Sequence, residues 1–406
     1  MNIKFQRAVD RLAGVPICAL LSLLNRLFGR KAPLATPRRI LVILLSEMGS
    51  LVLAQPMFAR LREKYPQAEL HVMLFAKNRE ILDLLGVVPD EHVITLDDRS
   101  LTSFVGDSLR AIRRTRAADF DAVIDCELFS RVSSIFSYLS GARLHVGFHR
   151  HTQEGLYRGS FINRPVLYNP YRHLTLQFLA MTAALESKSF PLAKDVPLPE
   201  PADPPHLAFA VGEREAVAER LHADFPQVTG KPLVLVYPSG GILPIRAWPP
   251  ASYKALCAAL LDDGYAVAVI GLKDDRPLGE EIVEHCASEH CINLTGWTRS
   301  VRELLALFHR AALLVTNDGG PGQFAALTPL PSIVFFGPET PALYRSLSKN
   351  AYFFHKPLPC SPCLTAYNHR NSPCDGDNQC LKQVTPEEVL AKARAMLRES
   401  GAAACA

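Results

Sequence analysis

The chain has 406 residues, of which 48% are hydrophobic and 21% are charged. This composition excludes a disordered or fibrous protein, and the length is sufficient for two domains of ordinary size. The formal net charge of +4 is concentrated at one end, because residues 1–39 carry +7. No basic face with interleaved aromatic residues follows, which argues against a nucleic-acid partner. Six of the ten cysteines are scattered along the chain, which is typical of reduced cytosolic thiols.

Residues 1–37 are predicted to form an amphipathic segment on a membrane surface. Ala13–Leu24 is mostly apolar, but it is shorter than the ~20 residues that a bilayer span needs, and Pro16 interrupts it. No cleavage site of the kind that ends a signal peptide follows. We expect apolar side chains of a surface helix to enter the lipid interface, while flanking Lys and Arg residues meet anionic headgroups. The alternative is a helix packed on the core of the protein itself.

Residues 38–196 alternate apolar runs with helical patterns, which predicts a parallel, doubly wound sheet. The first strand begins at Arg39 and is followed by the turn Ser46–Ser50 and the helix Leu51–Tyr65. Further strands are predicted at 69–75, 92–95 and 122–125, and further helices at 78–85 and 103–116. Ligands bind at the carboxyl ends of such strands. We therefore expect the turns after Leu45 and Asp125 to face a cleft.

Residues 197–205 contain five prolines and predict a stiff linker between two domains. Residues 206–385 repeat the alternation of strands and helices, and residues 386–406 form a closing helix and tail. The predicted strands of this second domain are 233–237, 266–270, 312–315 and 332–336. The fold class that follows is α/β, with two Rossmann-like doubly wound domains.

The turn after the strand Ala312–Val315 favours an anion. Its sequence, Thr-Asn-Asp-Gly-Gly-Pro-Gly-Gln-Phe-Ala, occupies residues 316–325. The glycines let a ligand approach the backbone, and a helix that begins near Pro321 would present unpaired N–H groups. A diphosphate fits such a turn without a metal ion. The alternative is an ordinary turn between a strand and a helix, because glycine turns are weak signals.

This turn resembles the Asp-Ser/Thr-Gly-Pro-x-His-x-Ala signature of glycosyltransferase family 9, the ADP-heptose:lipopolysaccharide heptosyltransferases. The hydroxyl residue of the family is Gly319 here, and its histidine is Gln323. Residues 244–249 resemble the Lys-x-Trp-Pro motif, with Arg246 in place of the lysine as a planar cation able to grip a phosphate. The resemblance implies that a nucleotide-sugar contacts Arg246, Asp275, Thr295, Gly296, Asp318, Gly319, Gly320, Pro321, Gly322 and Gln323.

The resemblance extends over residues 38–390 and implies the GT-B arrangement, in which two Rossmann-like domains face a cleft. The nucleotide-sugar is expected on the second domain and the acceptor on the first. The activity that the resemblance implies is inverting transfer of a sugar, a heptose in view of the family, from an ADP-heptose-like donor to a lipopolysaccharide-core or related glycan. No cofactor is implied for catalysis. The implied location is the cytoplasm, peripherally on the inner face of the cytoplasmic membrane.

The turn after the first strand, Ser46–Ser50, departs from the family signature at the residue that matters most for catalysis. The expected catalytic base of the family is an Asp, and this position is Ser50 here. A serine cannot take the proton of the acceptor hydroxyl unaided, because its own pKa is far too high. Glu47, on the same turn, and Glu127, just beyond the strand 122–125, are candidate substitutes. A third interpretation is a weak or inactive homologue that binds nucleotide-sugars or glycans.

Two further groups complete the predicted site. Residues 141–148 match the Gly-Ala-x-x-x-x-Gly-Phe pattern of the family, and the resemblance directs His149, Arg150 and Arg158 toward an anionic acceptor; an ordinary surface loop is the alternative. Four clustered thiols could hold structural zinc or iron tetrahedrally, and they resemble the cysteine-bearing tail of many family members. Reduced thiols or a redox-dependent disulfide are the alternatives. These thiols are Cys360, Cys363, Cys374 and Cys380.

Overall fold

The computed structural model of the chain describes residues 3–29, 36–45, 47–128, 130–148, 157–200, 204–367 and 370–404. It divides into two compact units, Met1–Ala202 and Asp203–Ala406. The division falls inside the segment 197–205 that the sequence predicts as a linker. Each unit is built on a parallel sheet with helices, and the predicted fold class of two Rossmann-like α/β domains is confirmed.

The first unit contains a six-stranded parallel sheet in the order β3-β2-β1-β4-β5-β6. Its central strand is a run of branched aliphatic residues that is buried on both faces, as parallel sheets require. The strands are β1 (Arg39–Ile43), β2 (Glu69–Phe75), β3 (Val93–Leu96), β4 (Ala122–Asp125), β5 (Leu144–Phe148) and β6 (Arg164–Val166). The helices are α1 (Ile3–Leu12), α2 (Gly14–Phe28), α3 (Met48–Lys64), α4 (Arg79–Leu85), α5 (Leu101–Ala118), α6 (Arg131–Leu139) and α7 (Leu174–Ala184).

The second unit contains a six-stranded parallel sheet in the order β12-β11-β10-β7-β8-β9. Its strands are β7 (Leu233–Tyr237), β8 (Ala266–Gly271), β9 (Cys291–Thr295), β10 (Ala311–Asn317), β11 (Ser332–Phe336) and β12 (Ala351–His355). Its helices are α8 (Glu213–Asp224), α9 (Pro250–Asp262), α10 (Arg276–Cys286), α11 (Val301–Phe308), α12 (Gly320–Phe324), α13 (Pro341–Tyr344), α14 (Gln379–Lys382) and α15 (Pro386–Ala404). The closing helix α15 packs on the core of this unit through Val389, Ala393 and Leu397.

The strands β5, β6, β9 and β12 and the helices α6, α7, α8, α13 and α14 were not predicted from the sequence. Strand β5 was missed because its one polar side chain, His145, interrupts the apolar run. His145 lies in β5 and is buried, since its Nδ1 and the hydroxyl of Ser137 are hydrogen-bonded at 2.9 Å. Helix α7 was missed for the opposite reason, because it is apolar and buried on nearly every side and so lacks an amphipathic period.

The N-terminal helices pack on the first unit along one face only. Cys18 and Leu21 of α2 are buried against Phe161 and Ile162, and the hydroxyl of Ser22 lies 2.8 Å from that of Tyr157. Large apolar side chains of the other face are exposed, namely Leu12, Ile17, Leu20, Leu23, Leu27 and Phe28. The helix is therefore apolar both where it meets the protein and where it meets solvent.

The expectation that this segment is too short to cross a bilayer was wrong. The helical stretch Ala8–Phe28 has 21 residues and passes as a membrane span by length and composition alone, the one helix of the described chain that does so. The stretch is divided at Ala13, between the end of α1 and the start of α2, and Pro16 is tolerated because it lies in the first turn of α2.

Candidate active site

Three turns of the second unit lie side by side at the carboxyl edge of its sheet. Strand β10 pairs in parallel with β7 on one side and with β11 on the other, so their carboxyl ends meet at one edge. Arg246 follows β7, Asp318 follows β10 and Glu339 follows β11. The fold therefore brings together three charged residues from a stretch in which the first and the last, Arg246 and Glu339, are 93 positions apart. They meet at the edge where doubly wound sheets bind ligands.

Asn317, the last residue of β10, fastens the turn that carries Arg246 to the sheet. Its Oδ1 accepts hydrogen bonds from the backbone N–H of Trp248 at 2.9 Å and from the hydroxyl of Tyr253 at 3.1 Å. Its Nδ2 donates to the carbonyl of Ser239 at 3.0 Å. Asn317 was not predicted as a site residue, although an amide directly before the Asp of a glycine turn was the available signal.

Arg246, Asp318, Glu339 and Arg370 form a buried charged cluster. Arg246 Nη2 lies 2.9 Å from Glu339 Oε1, and Arg370 Nε lies 3.3 Å from the same oxygen. Arg246 Nε lies 3.8 Å from Asp318 Oδ2, which is too far for a hydrogen bond. The side chains of Asp318 and Glu339 are only 8% and 3% exposed. Two carboxyl groups and two guanidinium groups therefore share a site that is largely closed to water.

Burial changes the protonation of the two acids. It raises the pKa of the Glu339 carboxyl to about 8; the attraction of Arg246 opposes this rise, and repulsion from Asp318 adds to it. Burial likewise raises the pKa of Asp318, again against the attraction of Arg246. Two acids this close resist simultaneous ionisation. Near neutral pH they hold a proton that exposed carboxyl groups would have released.

Four polar atoms of this site are buried and make no well-aligned hydrogen bond in the protein, although one of them, Glu339 Oε1, lies within ion-pair distance of Arg246 and Arg370. They are Arg246 Nε, Asp318 Oδ2, Gln323 Oε1 and Glu339 Oε1. Leaving such an atom unpaired costs about 1–3 kcal/mol, so folded proteins tolerate few of them. Their convergence on one edge of one sheet is typical of a site that receives a polar ligand. The amide nitrogen of Gln323 is already engaged, because it donates to the carbonyl of Tyr344 at 2.6 Å.

The glycine turn differs from expectation in two respects. Helix α12 has only five residues before the 3₁₀ turn Ala325–Leu327, so it is shorter than predicted and its dipole is correspondingly weak. Gly319 has an extended backbone with φ 173°, and a Cβ placed there would meet nothing closer than the carbonyl of Asn317 at 3.9 Å. A Cβ at Gly320 would come within 3.2 Å of the Phe324 ring. Of these two glycines, Gly320 is the more closely packed.

The three outer residues of the predicted donor set lie at the carboxyl ends of β8 and β9. Asp275 accepts a hydrogen bond from the N–H of Leu272 at 2.8 Å. Thr295 donates its hydroxyl to Asn293 Oδ1 at 2.7 Å. Gly296 has φ +69°, and a Cβ there would come within 2.5 Å of the Lys273 side chain. All three shape this edge of the sheet, and the polar groups of Asp275 and Thr295 are engaged by neighbouring residues of their own turns.

In the first unit, Glu127 lies where β1 and β4 end. Its Oε1 accepts a hydrogen bond from the N–H of Leu45 at 2.6 Å, and its own N–H donates to Asp125 Oδ1 at 3.2 Å. The residue is only 8% exposed. One carboxylate oxygen therefore holds the end of β1 in place.

Glu47 and Ser50 begin helix α3 on the same edge. Glu47 is the N-cap residue, and its side chain makes no capping bond to the helix backbone. Its Oε2 lies 3.4 Å from the hydroxyl of Ser50. Both residues are partly exposed. A carboxylate therefore lies beside the position that the family signature gives to an Asp. Ser46 lies outside the described residues.

The acceptor role predicted for Arg158 is not supported by its position. The side chain is 1% exposed and pairs with Asp125, which is 2% exposed. Its guanidinium also donates to the carbonyls of Ser130 at 2.9 Å and Phe148 at 3.2 Å. The arginine was predicted to contact a ligand because sequence alone does not indicate burial, and here it neutralises an acid inside the unit. His149 and Arg150 lie outside the described residues.

The four clustered cysteines do not form a tetrahedral metal site. Metal–sulfur bonds of about 2.3 Å require sulfur atoms about 3.8 Å apart, and in the described chain no three of these four sulfurs lie within 4.8 Å of one another. Cys380 is buried, and burial, reinforced by Cys363 and Cys360 nearby, raises the pKa of its thiol. Cys374 Sγ instead lies 3.6 Å from Asn378 Oδ1. As placed, the cysteines do not fit the predicted zinc or iron.

Glu339 and Arg370 were missed by the sequence analysis. Glu339 follows Gly337-Pro338 directly after β11, so the rule that ligands bind at the carboxyl ends of strands, applied to this strand as well, would have indicated it. Arg370 lies in a segment without regular structure, and no sequence signal links it to Glu339.

Comparison with known proteins places this geometry in context. The family model described as glycosyltransferase family 9 (heptosyltransferase) matches residues 108–372. Lipopolysaccharide heptosyltransferase 2 of Salmonella typhimurium is 27% identical over 374 residues, which cover 89% of this chain and 99% of that protein.

Two solved structures have a similar fold. The ADP-heptose lps heptosyltransferase II of E. coli superposes with a TM-score of 0.69 at 24% identity, covering 89% of this chain and 99% of that one. The E. coli heptosyltransferase WaaC with ADP gives a TM-score of 0.62 at 17% identity, covering 88% and 99%.

Proposed function

This chain belongs to glycosyltransferase family 9 and is a glycosyltransferase, and from this premise we propose that it moves a heptose from a nucleotide-diphosphate donor to a lipopolysaccharide-core or related cell-surface glycan. The relatives that it matches over nearly their whole length are lipopolysaccharide heptosyltransferases. One solved structure of similar fold holds ADP. ADP-heptose is therefore the donor that we propose first.

The observation that carries this proposal is the set of unpartnered polar atoms on Arg246, Asp318, Gln323 and Glu339. Three of these four residues, all except Glu339, occupy positions of the family motifs. A nucleotide-sugar offers both a diphosphate for the guanidinium and hydroxyl groups for the oxygens. Arg246 would stabilise the charge that develops on the departing diphosphate, together with the N–H groups of Gly320 and Gly322 at the start of α12.

We propose inverting transfer with Glu47 as the base. The acceptor hydroxyl would lose its proton to the Glu47 carboxylate while its oxygen bonds to the anomeric carbon. The bond between that carbon and the diphosphate oxygen would break, and its electron pair would leave with the diphosphate. Glu47 is preferred because it is partly exposed and lies 3.4 Å from Ser50, the position of the family Asp. Glu127 is the second candidate, since it is buried and one of its oxygens is already engaged.

The test is an assay of ADP release from ADP-heptose with a lipopolysaccharide-core acceptor, with NMR analysis of the anomeric configuration of the product. Glu47→Gln should lower kcat by about 10²–10⁴-fold and leave the KM for the donor nearly unchanged. Ser50→Asp should restore much of this loss in the Glu47→Gln background, because it returns a carboxylate to the same turn. Full activity of Glu47→Gln together with loss in Glu127→Gln would transfer the role to Glu127. Retention of configuration would contradict the inverting mechanism.

A second candidate function is binding without turnover, and Ser50 is the observation that favours it. A homologue without a base would retain the donor pocket and lose the chemistry. Calorimetric binding of ADP-heptose combined with no product after long incubation would support this alternative. Appearance of turnover in Ser50→Asp alone would show that the missing carboxylate is the cause.

We propose that catalysis needs no metal ion, because Arg246 and backbone N–H groups supply the positive charge that a cation would otherwise bring to the leaving group. Activity that survives exhaustive dialysis against a chelator is the expected result. Loss of activity that returns on addition of Mg²⁺ would contradict the proposal. Metal analysis of the same sample would test the cysteine cluster independently.

We propose that α1 and α2 bind the cytoplasmic face of the inner membrane as a surface helix pair. Leu20, Leu23, Leu27 and Phe28 are each more than half exposed, while Cys18 and Leu21 fix the opposite side to the protein. A helix that remains packed on the first unit cannot leave it to span a bilayer, but it can lay its free face in the interface.

Vesicle sedimentation with anionic and neutral lipids tests this idea. The double variant Leu23→Glu/Leu27→Glu should leave the vesicle fraction, and the matched surface variant Leu109→Glu on α5 should not. Equal binding of all three proteins would contradict the proposal.

A further inference from the structure

Glu339 has no assigned role, although it is the least exposed carboxyl of the charged cluster. It lies outside the Asp-x-Gly-Pro signature and outside the turn that carries Arg246. Two guanidinium groups approach the same oxygen from different elements, Arg246 at 2.9 Å and Arg370 at 3.3 Å. Arg370 also lies over the ring of Tyr344, 5.6 Å from its centroid. The position of this carboxyl is therefore fixed by charges on two sides.

The unpartnered atoms around Glu339 are mostly acceptors. Asp318 Oδ2, Gln323 Oε1 and Glu339 Oε1 are oxygens that receive no well-aligned hydrogen bond, and Arg246 Nε is the one donor of the set. Glu339 Oε1 has only its ion-pair contacts with Arg246 and Arg370. A diphosphate has only acceptor oxygens at neutral pH, so it can satisfy Arg246 and none of the three oxygens. Hydroxyl groups can donate to all three. The oxygens of the cluster, which accept hydrogen bonds, therefore suit the hydroxyl groups of the sugar. The guanidinium of Arg246, which donates hydrogen bonds, suits the phosphate.

We propose that Glu339 is a specificity-determining residue of the donor site and accepts hydrogen bonds from hydroxyl groups of the transferred sugar. Arg370 is a positioning residue that holds the Glu339 carboxyl in place. Arg246 lies between Glu339 and the diphosphate and connects recognition of the sugar with recognition of the leaving group. This inference rests on the proposed function, because it takes the ligand to be a nucleotide-sugar.

The arrangement predicts how the enzyme selects its donor. A site built to hydrogen-bond a substrate hydroxyl rejects an analogue without it by roughly 10⁴–10⁵-fold, since buried acceptors then stay unpaired. A residue that recognises only the sugar has no effect on the binding of the bare nucleotide. The affinities for ADP and for ADP-heptose therefore separate this role from a merely structural one.

Isothermal titration calorimetry on the full chain provides the test, with ADP and ADP-heptose as probes. Glu339→Gln should weaken ADP-heptose binding by at least about tenfold and leave ADP binding within about threefold of wild type. Arg370→Met should weaken ADP-heptose binding in the same sense, and the double variant should add little to Glu339→Gln. Glu303→Gln, which removes another arginine-paired carboxylate of the same unit, is the matched control and should change neither affinity.

Each outcome decides between the alternatives. Parallel loss of both affinities in Glu339→Gln, or no change in either, overturns the inference and leaves the proposed function standing. A wild-type protein that binds neither ADP nor ADP-heptose, with a normal thermal transition, overturns both proposals. If Glu339→Gln fails to fold, Arg370→Met provides the test, because it leaves the Glu339 carboxyl in place and removes only the guanidinium that positions it. The expected result is again weaker binding of ADP-heptose with unchanged binding of ADP.

Discussion

The carboxylate of Glu127 accepts a hydrogen bond from the backbone N–H of Leu45 at 2.6 Å, across the carboxyl ends of two adjacent strands. The carbonyl of Leu45 accepts a second hydrogen bond, from Nδ2 of Asn78 at 2.6 Å. The peptide groups that lead into the turn before α3 are thus held by side chains from two different elements. This relationship positions the turn that carries Glu47 and Ser50.

The first prediction concerns Glu127 itself. Glu127→Ala should destabilise the first unit by about 1–3 kcal/mol, because it leaves the buried N–H of Leu45 without an acceptor. Glu127→Gln should cost less, since an amide oxygen can still accept that bond. Urea unfolding followed by circular dichroism measures both. Equal destabilisation by the two variants would show that the negative charge, and not the hydrogen bond, is what Leu45 needs.

The second prediction concerns Gly319. Gly319→Ser should fold with an unchanged thermal transition. The backbone of Gly319 is extended, and a Cβ added there would lie in open space. The added hydroxyl, which the family signature has here, should tighten ADP-heptose binding about fivefold, as expected for one hydrogen bond of ~1 kcal/mol. Gly320→Ala is the contrasting variant and should weaken binding, because its Cβ displaces the Phe324 ring. Improved binding by Gly320→Ala would contradict this account of the turn.

The third prediction concerns the ion pair of Arg158 and Asp125. Burial raises the pKa of Asp125 to about 6 even though Arg158 opposes the rise. Arg158→Met would leave this acid unpaired, and we expect a loss of about 3–5 kcal/mol in the stability of the first unit. Arg158→Met/Asp125→Leu should recover much of it, because no isolated charge remains.

Hydrogen exchange of the amides in β4 and β5 would locate this effect. Both tryptophans of the chain, Trp248 and Trp297, lie in the second unit, so their fluorescence serves as the internal control. A small loss in Arg158→Met, or no recovery in the double variant, would mean that Arg158 is not needed to neutralise Asp125. The predicted contact of Arg158 with the acceptor would then be open again.

The fourth prediction concerns pH. Burial lowers the pKa of His71 to about 4, and repulsion from His92, whose ring stacks at a centroid distance of 4.0 Å, adds to the shift. The ordinary pKa is about 6.5. Between these values the unfolded chain binds a proton that the native state does not, so stability should fall as pH falls from 6.5 to 4. The slope should approach about 1.4 kcal/mol per pH unit.

His71→Leu should remove the contribution of His71 to the acid slope and leave that of His145, whose pKa burial also lowers to about 4. The variant should raise stability at pH 7 by about 1 kcal/mol, because neither ring nitrogen of His71 has a hydrogen-bond partner in the native state. Urea titrations between pH 4 and 7 provide the measurement. His206→Gln, at an exposed position, is the control. An acid slope in His71→Leu as steep as that of wild type would contradict the prediction and would assign the effect to other groups, such as the buried His145.

Patterns of apolar residues predicted many of the strands, because the burial of a strand leaves its mark on the few residues that form it. Apolar runs without alternation identified β1, β7, β10 and β11, since strands of a parallel sheet are buried on both faces. Strand β5 was missed because His145 is buried through a hydrogen bond to Ser137. That partner lies on another element, which a local pattern does not indicate.

The sequence by itself determined the alternation of strands and helices, the proline-rich boundary and the motifs that contain Arg246 and Asp318. These follow from the periodicity of apolar residues and from the backbone demands of glycine and proline, which act over a few residues. Only the tertiary structure decided that Glu339 and Arg370 join those two residues and that Arg158 is an internal counterion. The physical reason is that burial and charge pairing depend on which distant segments the parallel sheet brings to one edge.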